Sequence, residues 1–458
     1  MNKRIRLRLG RDLYSQLTRH LFPGDSDEHG AVIAAGVAVT PGEIRLLGRH
    51  VFLAQDGRDY VEGTRGYRAL TPTFIAEKAG FCADQGLSYL AVHCHPAENQ
   101  VALSRDDLAS QERGYPALLQ ITKGGPVGGI VFARNAIAGQ IWFPGGERRP
   151  LDEATIIGPQ IRTLYPSPKR WPHDMDPLYD RHARIFGDVG QAIIGGLRVG
   201  IIGLGGAGSL LNEWLARLGV GKILGVDRET LDITNIPRVV GSTRDDVGRP
   251  KVDIAESVAR EANPTIAFEA IHDDIVNEEV ALRLRMCDFI FLAADAMQAR
   301  LVFNALVYQY LIPGCQVGAK VTLDRNNRVA QIFTATRLIL PIDGGGCLVC
   351  SGLIPPARLQ EEALSPAERK AQRYVDSDEV PAPSVITLNA LATAQAAHEI
   401  VMLFTGLYRG DDALPFLMNF PIERVLRRVD SKPAVCQFCG THRTAHRAQG
   451  DRAELPCR

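Results

Sequence analysis

A glycine-rich turn between an apolar strand and an amphipathic helix is the feature that most constrains the fold of this chain. The pattern predicts a buried strand over residues 197–202 and a helix over residues 209–218. The turn between them contains Gly203, Gly205, Gly206 and Gly208. Glycines at such a turn let backbone N–H groups approach a phosphate at the start of a helix. The turn therefore predicts a nucleotide-binding βαβ unit in a doubly wound α/β sheet.

Polar side chains beyond the turn narrow its ligand. Asp227 follows the apolar strand predicted at residues 222–226, where a doubly wound sheet holds a carboxylate against ribose hydroxyls. Asn235 and Arg238 lie about one helical turn apart, and the forked donors of a guanidinium suit phosphate oxygens. A nicotinamide site needs no such pair, so the pattern favours a nucleoside triphosphate over a dinucleotide.

Two further charged residues fit a triphosphate that is bound with a metal ion. Lys251 opens the next helical pattern and adds a second cation. Asp295 ends another apolar strand, residues 288–295, at the same edge of the sheet. A carboxylate that faces a triphosphate there is best explained as a ligand of Mg²⁺.

Residues 181 to about 345 resemble the ThiF/MoeB-type adenylyltransferases and the adenylation domains of ubiquitin-activating enzymes. The positions that match the ATP site of that family are Gly206, Asp227, Asn235, Arg238, Lys251 and Asp295. The resemblance implies a Rossmann-like domain that uses ATP and Mg²⁺ to adenylate the C-terminal glycine of a ubiquitin-like protein. It also implies that Arg181 reaches into the ATP site of a partner subunit, and hence a homodimer. A Rossmann domain with another ligand, or with none, is the alternative.

Two histidines near the N-terminus form a second candidate site. His93 and His95 follow the largely apolar run at residues 87–92, and their spacing puts both imidazoles on one face of a strand. A carboxylate a short loop later would complete a three-ligand zinc site with an open position for water. Ordinary histidines at the end of a strand are the alternative interpretation.

This segment resembles the JAMM motif of Mov34/MPN-type (JAB) metalloproteases. The resemblance implies an α/β zinc peptidase in which His93, His95 and Asp107 bind the metal. Ser104 would help to stabilise the tetrahedral intermediate. The loop is one residue longer than is usual in that family, so Asp106 is a rival ligand, but Asp107 preserves the Ser-x-x-Asp spacing.

Glu28 fits the general base that such a peptidase needs. The family places a glutamate after its first helix, and Glu28 lies between a predicted helix at residues 9–22 and an apolar strand at residues 31–39. A carboxylate beside zinc-bound water would take its proton during attack and pass it to the leaving amine. A solvated turn residue is the alternative.

Two short cysteine spacings predict a structural zinc site. Two such pairs can supply four thiolates to one tetrahedral zinc ion even when they lie far apart in sequence. A redox pair and four independent thiols are the alternatives, and the same two pairs occur in ThiF/MoeB-type proteins. The four residues are Cys347, Cys350, Cys436 and Cys439. With the histidine site, we expect two zinc ions per chain.

The segment between these pairs lacks the acceptor that ubiquitin-activating enzymes use. Residues 351–435 contain no cysteine, so a thioester on that segment is excluded. The acyl-adenylate either passes to a thiol of a partner or reaches another nucleophile of this chain. Ser384, just before a helical pattern at residues 385–404, is the candidate, although a serine at a helix start is more often an N-cap.

Composition and the breaks in the pattern predict the organisation of the chain. The formal net charge of zero argues against nucleic acid or a membrane as the main partner, and the scattered remaining cysteines are typical of a cytoplasmic protein. The predicted segments are a JAB/MPN-like domain at residues 1–145, a Pro-rich linker at residues 146–178, an adenylation domain at residues 179–440 and a polar tail at residues 441–458.

The pairing of the two domains suggests that both act on one ubiquitin-like protein. One domain would activate its terminal glycine, and the other would trim a precursor or cleave conjugates. The resemblance to these two families implies one of the bacterial ubiquitin-like conjugation operons, some of which are linked to phage defence, and a conjugating enzyme would be a further partner. The alternatives are activation of a sulfur-carrier protein for cofactor or cysteine biosynthesis, and a non-catalytic scaffold that binds ubiquitin-like proteins.

Overall fold

Two compact units make up the computed structural model, which describes residues 3–62, 68–171, 176–324, 326, 328–364, 383–408, 416–429 and 435–458. The first unit comprises Met1–Arg170, Gln309–Leu311 and Thr441–Glu454. The second comprises Trp171–Tyr308, Ile312–Gly440 and Leu455–Arg458. Each unit has a β-sheet and helices of its own.

The first unit has an α/β structure. Its strands are β1 (Arg4–Gly10), β2 (Gly30–Val39), β3 (Glu43–Leu53), β4 (Ser88–Cys94), β5 (Val127–Phe132), β6 (Ile137–Trp142), β7 (Arg148–Pro150), β8 (Glu153–Ile157) and β9 (Arg162–Leu164). Its helices are α1 (Arg11–Leu21), α2 (Pro72–Gln85) and α3 (Arg105–Ile121). The strand order in the sheet is β7-β6-β5-β4-β2-β3-β1-β8-β9.

Both faces of this sheet are buried. Leu17 and Leu21 of α1 pack with Leu90 and Val92 in one apolar cluster, whereas α2 and α3 pack with Tyr89 in another. Because side chains alternate along β4, Cys94 lies on the α1 face and His93 on the face of α2 and α3. His93, the residue before the last one of β4, therefore lies on the same face as α3, the next helix.

The structure differs from the predicted linker at residues 146–178. Strands β7, β8 and β9 lie within that range and belong to the first sheet, in which β8 pairs in parallel with β1. The prolines and charged residues of this segment are typical of a linker, so its strands were not predicted. One of these charges, Glu153, is in fact buried and forms an ion pair with Arg6. The first unit thus extends to Arg170.

The segment predicted as a polar tail also contributes to the first unit, over Thr441–Glu454. Gly450 forms a parallel bridge with Val37 of β2. The carboxylate of Asp451 accepts a hydrogen bond from the backbone nitrogen of Val39 at 2.7 Å. This segment therefore contacts β2 directly.

The second unit is built on a mixed sheet. Its strands are β10 (Arg198–Ile202), β11 (Lys222–Val226), β12 (Ala267–Ile271), β13 (Phe289–Leu292), β14 (Gly314–Leu323), β15 (Val329–Ile339), β16 (Phe416–Phe420) and β17 (Val425–Arg428). Its helices are α4 (Asp180–Gly195), α5 (Gly206–Arg217), α6 (Lys251–Ala262), α7 (Glu278–Arg283), α8 (Met297–Gln309), α9 (Pro356–Ala363) and α10 (Ile386–Thr405). The last residue of α8 groups with the first unit.

The strand order β12-β11-β10-β13-β14-β15-β16-β17 confirms the predicted doubly wound arrangement. Strands β10 to β14 pair in parallel, and β14 to β17 pair antiparallel. Because β11 lies on one side of β10 and β13 on the other, the chain reverses direction across the sheet at β10. Ligands of doubly wound folds bind at such a switch point.

Helices that could cross a bilayer are absent from the described residues: none combines the necessary length with sufficient apolar character.

Candidate functional site

The glycine turn follows β10 and has a conformation that requires glycine. Gly203 has a φ of +91°, and a Cβ there would come within 2.8 Å of the backbone nitrogen of Ala294. A Cβ on Gly208 would lie 1.8 Å from the carbonyl oxygen of Gly203. The turn thus packs the start of α5 tightly against the end of β13.

A cleft of about 730 Å³ opens at the carboxyl ends of β10, β11 and β13. Most of the residues predicted to bind the nucleotide meet there. The predicted residues that line it are Gly203, Gly205, Gly206, Asp227, Arg238, Lys251, Asp295 and Ser384. The first turn of α5 also lines the cleft, so its backbone N–H groups can receive an anion.

Asp227 at the end of β11 is a half-buried carboxylate with a fixed orientation. It accepts hydrogen bonds from the backbone nitrogens of Leu204 at 2.6 Å and Glu229 at 2.8 Å. Burial nevertheless raises the pKa of this carboxyl above its ordinary value. Its position fits the carboxylate that holds ribose hydroxyls in doubly wound folds.

Two cations face the same cleft. The buried Lys251, at the start of α6, places its Nζ 2.5 Å from Oε2 of Glu229. Arg238 donates from its guanidinium to the carbonyl oxygen of Thr234 at 2.9 Å. Both side chains line the cleft with the first turn of α5, which makes it suited to a polyphosphate.

Asp295 follows β13 and is exposed at the cleft. Carboxylate oxygens are the ligands that Mg²⁺ prefers, and a phosphate in the cleft could complete the coordination of the ion. A second carboxylate, Glu362 of α9, also lines the cleft but caps α8, because it accepts from the backbone nitrogens of Met297 and Gln298. Asp295 is therefore the better candidate for a metal ligand.

The other predicted residues of this site lie outside the lining of the cleft. Gly208 serves the packing of the turn. The side chain of Asn235 accepts a hydrogen bond from the backbone nitrogen of Asp232 at 3.4 Å, within the short 3-10 turn that the two residues cap. Arg181 is exposed on α4. The structure thus does not bring Asn235 or Arg181 to the cleft of its own chain.

Ser384 lines the cleft just before α10, but it is not the N-cap of that helix. The N-cap is Val385, which makes no side-chain cap. The Ser384 hydroxyl instead accepts a hydrogen bond from Nδ2 of Asn389 at 3.3 Å. A nucleophile at this position could meet an activated carboxylate in the cleft.

The four predicted cysteines come together in the second unit. Their four Sγ atoms all lie within 4.8 Å of one another. The Sγ atoms of Cys347 and Cys436 are 3.7 Å apart, and those of Cys350 and Cys439 are 3.5 Å apart. A hydrogen bond from Cys439 is the largest cause that lowers the pKa of Cys347. Four converging thiols fit a closed structural zinc site.

In the first unit, His93, His95 and Asp107 also converge, with ligand atoms within 4.8 Å of one another. The Nε2 atoms of the histidines lie 3.2 Å apart, and Asp107 reaches them at 3.2 and 3.5 Å. Burial raises the pKa of Asp107, but its contacts with both histidines outweigh that and keep it well below its usual range. Asp106 is exposed and not part of the group. Two imidazoles and a carboxylate fit a catalytic zinc ion.

Ser104 and Glu28 lie beside this group. Ser104 is the N-cap of α3, and its hydroxyl donates to Asp107 at 2.8 Å within a capping box. Oε1 of Glu28 lies 3.7 Å from Nε2 of His95. Burial raises the pKa of Glu28, which suits a group that takes up and releases a proton.

Two residues at the cleft were not identified from the sequence. Glu229 pairs with Lys251, and Asn389 lies against Gly206. The position of Glu229, two residues after Asp227, was the one available signal; the position of Asn389 depends on a contact distant in sequence.

Proteins similar to this chain match it over part of its length. A tRNA threonylcarbamoyladenosine dehydratase of Bacillus subtilis is 38% identical over 19% of this chain and 34% of its own length. The SAMP-activating enzyme E1 of Haloferax volcanii is 30% identical over 28% of this chain and 47% of its own length. A sulfur carrier protein ThiS adenylyltransferase of B. subtilis is 31% identical over 38% of this chain and 54% of its own length. The chain thus spans between a third and little more than half of these relatives.

The family assignment rests on a longer match. The sequence profile of the ThiF family matches residues 179–429, more than half of the chain. The matched residues include the glycine turn, the cations and carboxylates of the cleft, and the segment that leads to α10. The chain therefore belongs to the ThiF family.

Proposed function

We propose that the second unit adenylates the C-terminal glycine carboxylate of a ubiquitin-like protein with MgATP. The observation that carries this proposal is the cleft, in which a half-buried carboxylate, two cations and an exposed carboxylate surround the N-terminus of α5. These residues are Asp227, Arg238, Lys251 and Asp295. The names of the relatives, a SAMP-activating enzyme E1 and a ThiS adenylyltransferase, support the reaction class.

The proposed reaction makes one bond and breaks one. A carboxylate oxygen of the substrate attacks the α-phosphorus of ATP, and the bond from that phosphorus to the oxygen of pyrophosphate breaks. Negative charge moves onto the leaving oxygen, where Arg238 and Lys251 can stabilise it. Asp295 would hold Mg²⁺, which when bound neutralises phosphate charge. The attacking carboxylate is ionised at neutral pH, so no general base is needed.

Exchange of radiolabelled pyrophosphate into ATP tests this step on the full-length chain with ubiquitin-like and sulfur-carrier proteins that end in glycine. We expect exchange that depends on the added protein and falls roughly a hundredfold in Asp295→Ala, the effect of removing one electrostatic contact to the reacting phosphate. Asp253→Ala, an exposed residue of α6, is the matched control. The absence of exchange with every such protein would favour a scaffold without catalysis.

We further propose that the first unit is a JAMM-type zinc peptidase that trims or deconjugates the same ubiquitin-like protein. The convergence of His93, His95 and Asp107 supports this, because it leaves room for a fourth ligand on a bound ion. Zinc, when bound, would acidify a water molecule. Glu28 would then hold the proton and pass it to the leaving amine.

Metal analysis tests the peptidase site without a substrate. We expect two zinc ions per full-length chain, one at the cysteines and one at the histidines. The double variant His93→Ala, His95→Ala should lose one ion, whereas His272→Ala, an exposed histidine of the second unit, should keep both. A single zinc ion that the double variant retains would contradict the peptidase proposal.

The product formed from the activated carboxylate distinguishes protein modification from sulfur-carrier activation. Sulfur-carrier activation is the second candidate function, because one relative is named as a ThiS adenylyltransferase. Its product would be a thiocarboxylate. Amine or hydroxyl conjugates would indicate protein modification in a bacterial ubiquitin-like pathway. Mass spectrometry of the trapped product distinguishes these outcomes. An adduct that is lost in Ser384→Ala and kept in every Cys→Ala variant would identify Ser384 as the acceptor.

A further inference from the structure

Asn389 lies in the adenylation cleft and belongs to none of the motifs described above. It lies in the first turn of α10 and lines the cleft, although only 7% of it is exposed. A Cβ built on Gly206 would lie 2.1 Å from its Nδ2 atom. Because Gly206 is the first residue of α5, the amide stands directly at the N-terminus of that helix.

Helix packing fixes the position of this amide. One turn farther along α10, the Thr393 hydroxyl donates to the carbonyl oxygen of Ala207 at 3.3 Å. Thr393 is fully buried, so α10 is held against the first turn of α5. The backbone of Asn389 is therefore held beside the glycine turn by the packing of the two helices.

The hydrogen bonds of Asn389 leave a donor for a ligand. Nδ2 donates to Oγ of Ser384 at 3.3 Å. A primary amide carries two N–H groups, and Ser384 takes one of them. Within the described ranges, the structure gives Nδ2 no second acceptor, and the atom lies in the wall of the cleft.

The surroundings of the amide favour a phosphate oxygen as that ligand. The first N–H groups of α5 attract negative charge, and the same Cβ position on Gly206 lies 3.4 Å from Cδ of Arg238. A neutral donor between a helix N-terminus and a guanidinium adds a hydrogen bond without adding charge. Bonds of this kind to a charged oxygen are stronger than those between neutral groups.

We propose that Asn389 binds a phosphate oxygen of the nucleotide, while Ser384 holds its amide in place. The inference rests on the proposed function, because it requires ATP in this cleft. It adds a nucleotide contact from α10 to those that the glycine turn, Arg238 and Lys251 supply.

Calorimetric titration of the full-length chain with MgATP alone tests the proposal. Asn389→Leu, which keeps the branching at Cγ but removes the donor, should raise Kd about tenfold, the effect of one lost hydrogen bond to a charged oxygen. Asn389→Asp should raise Kd further, because a carboxylate repels the phosphate. Thr393→Val is the matched control: it disturbs the same helix contact outside the cleft and should leave Kd within about twofold.

The outcomes separate this inference from the proposed function. A wild-type chain that binds no MgATP contradicts both. Wild-type binding with an unchanged Kd in Asn389→Leu and Asn389→Asp overturns the role of Asn389 alone. Equal weakening in Asn389→Leu, Asn389→Asp and Thr393→Val, with equal losses of melting temperature, shows that the residue acts only through packing and also overturns it.

Discussion

Asp227 is oriented for the cleft at a cost in folding stability. Two backbone N–H groups hold its carboxylate in one orientation, yet burial raises its pKa above the usual value. The ionised group is therefore less favourable in the folded chain than in the unfolded one. A site built for a ligand tolerates such a cost, because the ligand needs an oriented and ionised carboxylate.

The raised pKa of Asp227 gives a pH-dependent prediction. The folded state binds the proton more tightly than the unfolded state, so the ionised carboxylate costs stability near neutral pH, and this cost fades as pH falls through the folded pKa. Asp227→Asn cannot ionise, so the melting temperature of the wild-type chain relative to this variant should rise as pH falls from about 7 towards about 4. Thermal melts across this range measure the difference, with Asp253→Asn as the control. A relative melting temperature of the wild type that falls on acidification would contradict the prediction.

Two glycines of the turn should respond differently to alanine. Gly203 has positive φ and no room for a Cβ, so Gly203→Ala should cost about 1–3 kcal/mol of stability. Gly205 has a φ of −71° and nothing within 4 Å of a Cβ, so Gly205→Ala should change stability by less than about 1 kcal/mol. Denaturant unfolding of the second unit measures both. Equal losses would show that the backbone of the turn is not what demands glycine.

At the level of elements, the sequence predicted those whose signal is local. The strand expected at residues 222–226 is β11, and the one at residues 197–202 differs from β10 by one residue. Both are short, largely apolar runs. Strand β8 was missed because its buried Glu153 is satisfied by Arg6, which lies 147 positions away. No local pattern reveals such a partner.

The residues of the candidate sites also differ in whether the local sequence could predict their positions. Asp227 and Asp295 follow apolar strands, so their meeting at one edge of the sheet was predictable from the order of strands. Asn235 matched by position, but its amide caps a local turn. Asn389 reaches Gly206 only through the packing of α10 on α5, a tertiary contact that the sequence does not encode locally.

The first turn of α3 joins helix capping to the proposed metal site. Asp107 accepts hydrogen bonds from the backbone nitrogen of Ser104 at 2.7 Å and from its hydroxyl at 2.8 Å, and it also faces both histidines. Ser104→Ala should cost about 1 kcal/mol of helix stability and weaken zinc binding, because Asp107 loses a partner that orients it. Ser104→Thr should preserve both.

Competition with a chromophoric chelator measures that zinc affinity. Ser110→Ala, an exposed position of the same helix, is the control. If Ser104→Ala lowers the melting temperature but leaves zinc affinity unchanged, the serine caps the helix without positioning the ligand.

On the scale of the whole molecule, the end of the chain is part of the fold of its beginning. The buried Arg49 of β3 donates to the carbonyl oxygens of Ala445 at 2.8 Å and Arg443 at 3.0 Å, and also to that of Arg447. Burial, with the nearby charge of Arg447, lowers the pKa of Arg49 to about 10. A guanidinium removed from water must be paired, and these carbonyl groups supply its partners.

Truncation of the chain should therefore affect the first unit. A chain that ends at Gly440 loses the segment that both covers Arg49 and supplies its carbonyl partners, so we expect the free energy of unfolding of the first unit to fall. Amide hydrogen exchange should become faster in β2 and β3, while β10 and β13 keep their protection. A chain that ends at Glu454 is the matched control, since it lacks only residues that group with the second unit. Unchanged protection of β2 and β3 in the chain ending at Gly440 would mean that Thr441–Glu454 contacts the first unit without stabilising it. Faster exchange confined to those strands would show that the first unit completes its fold only after the second has been synthesised.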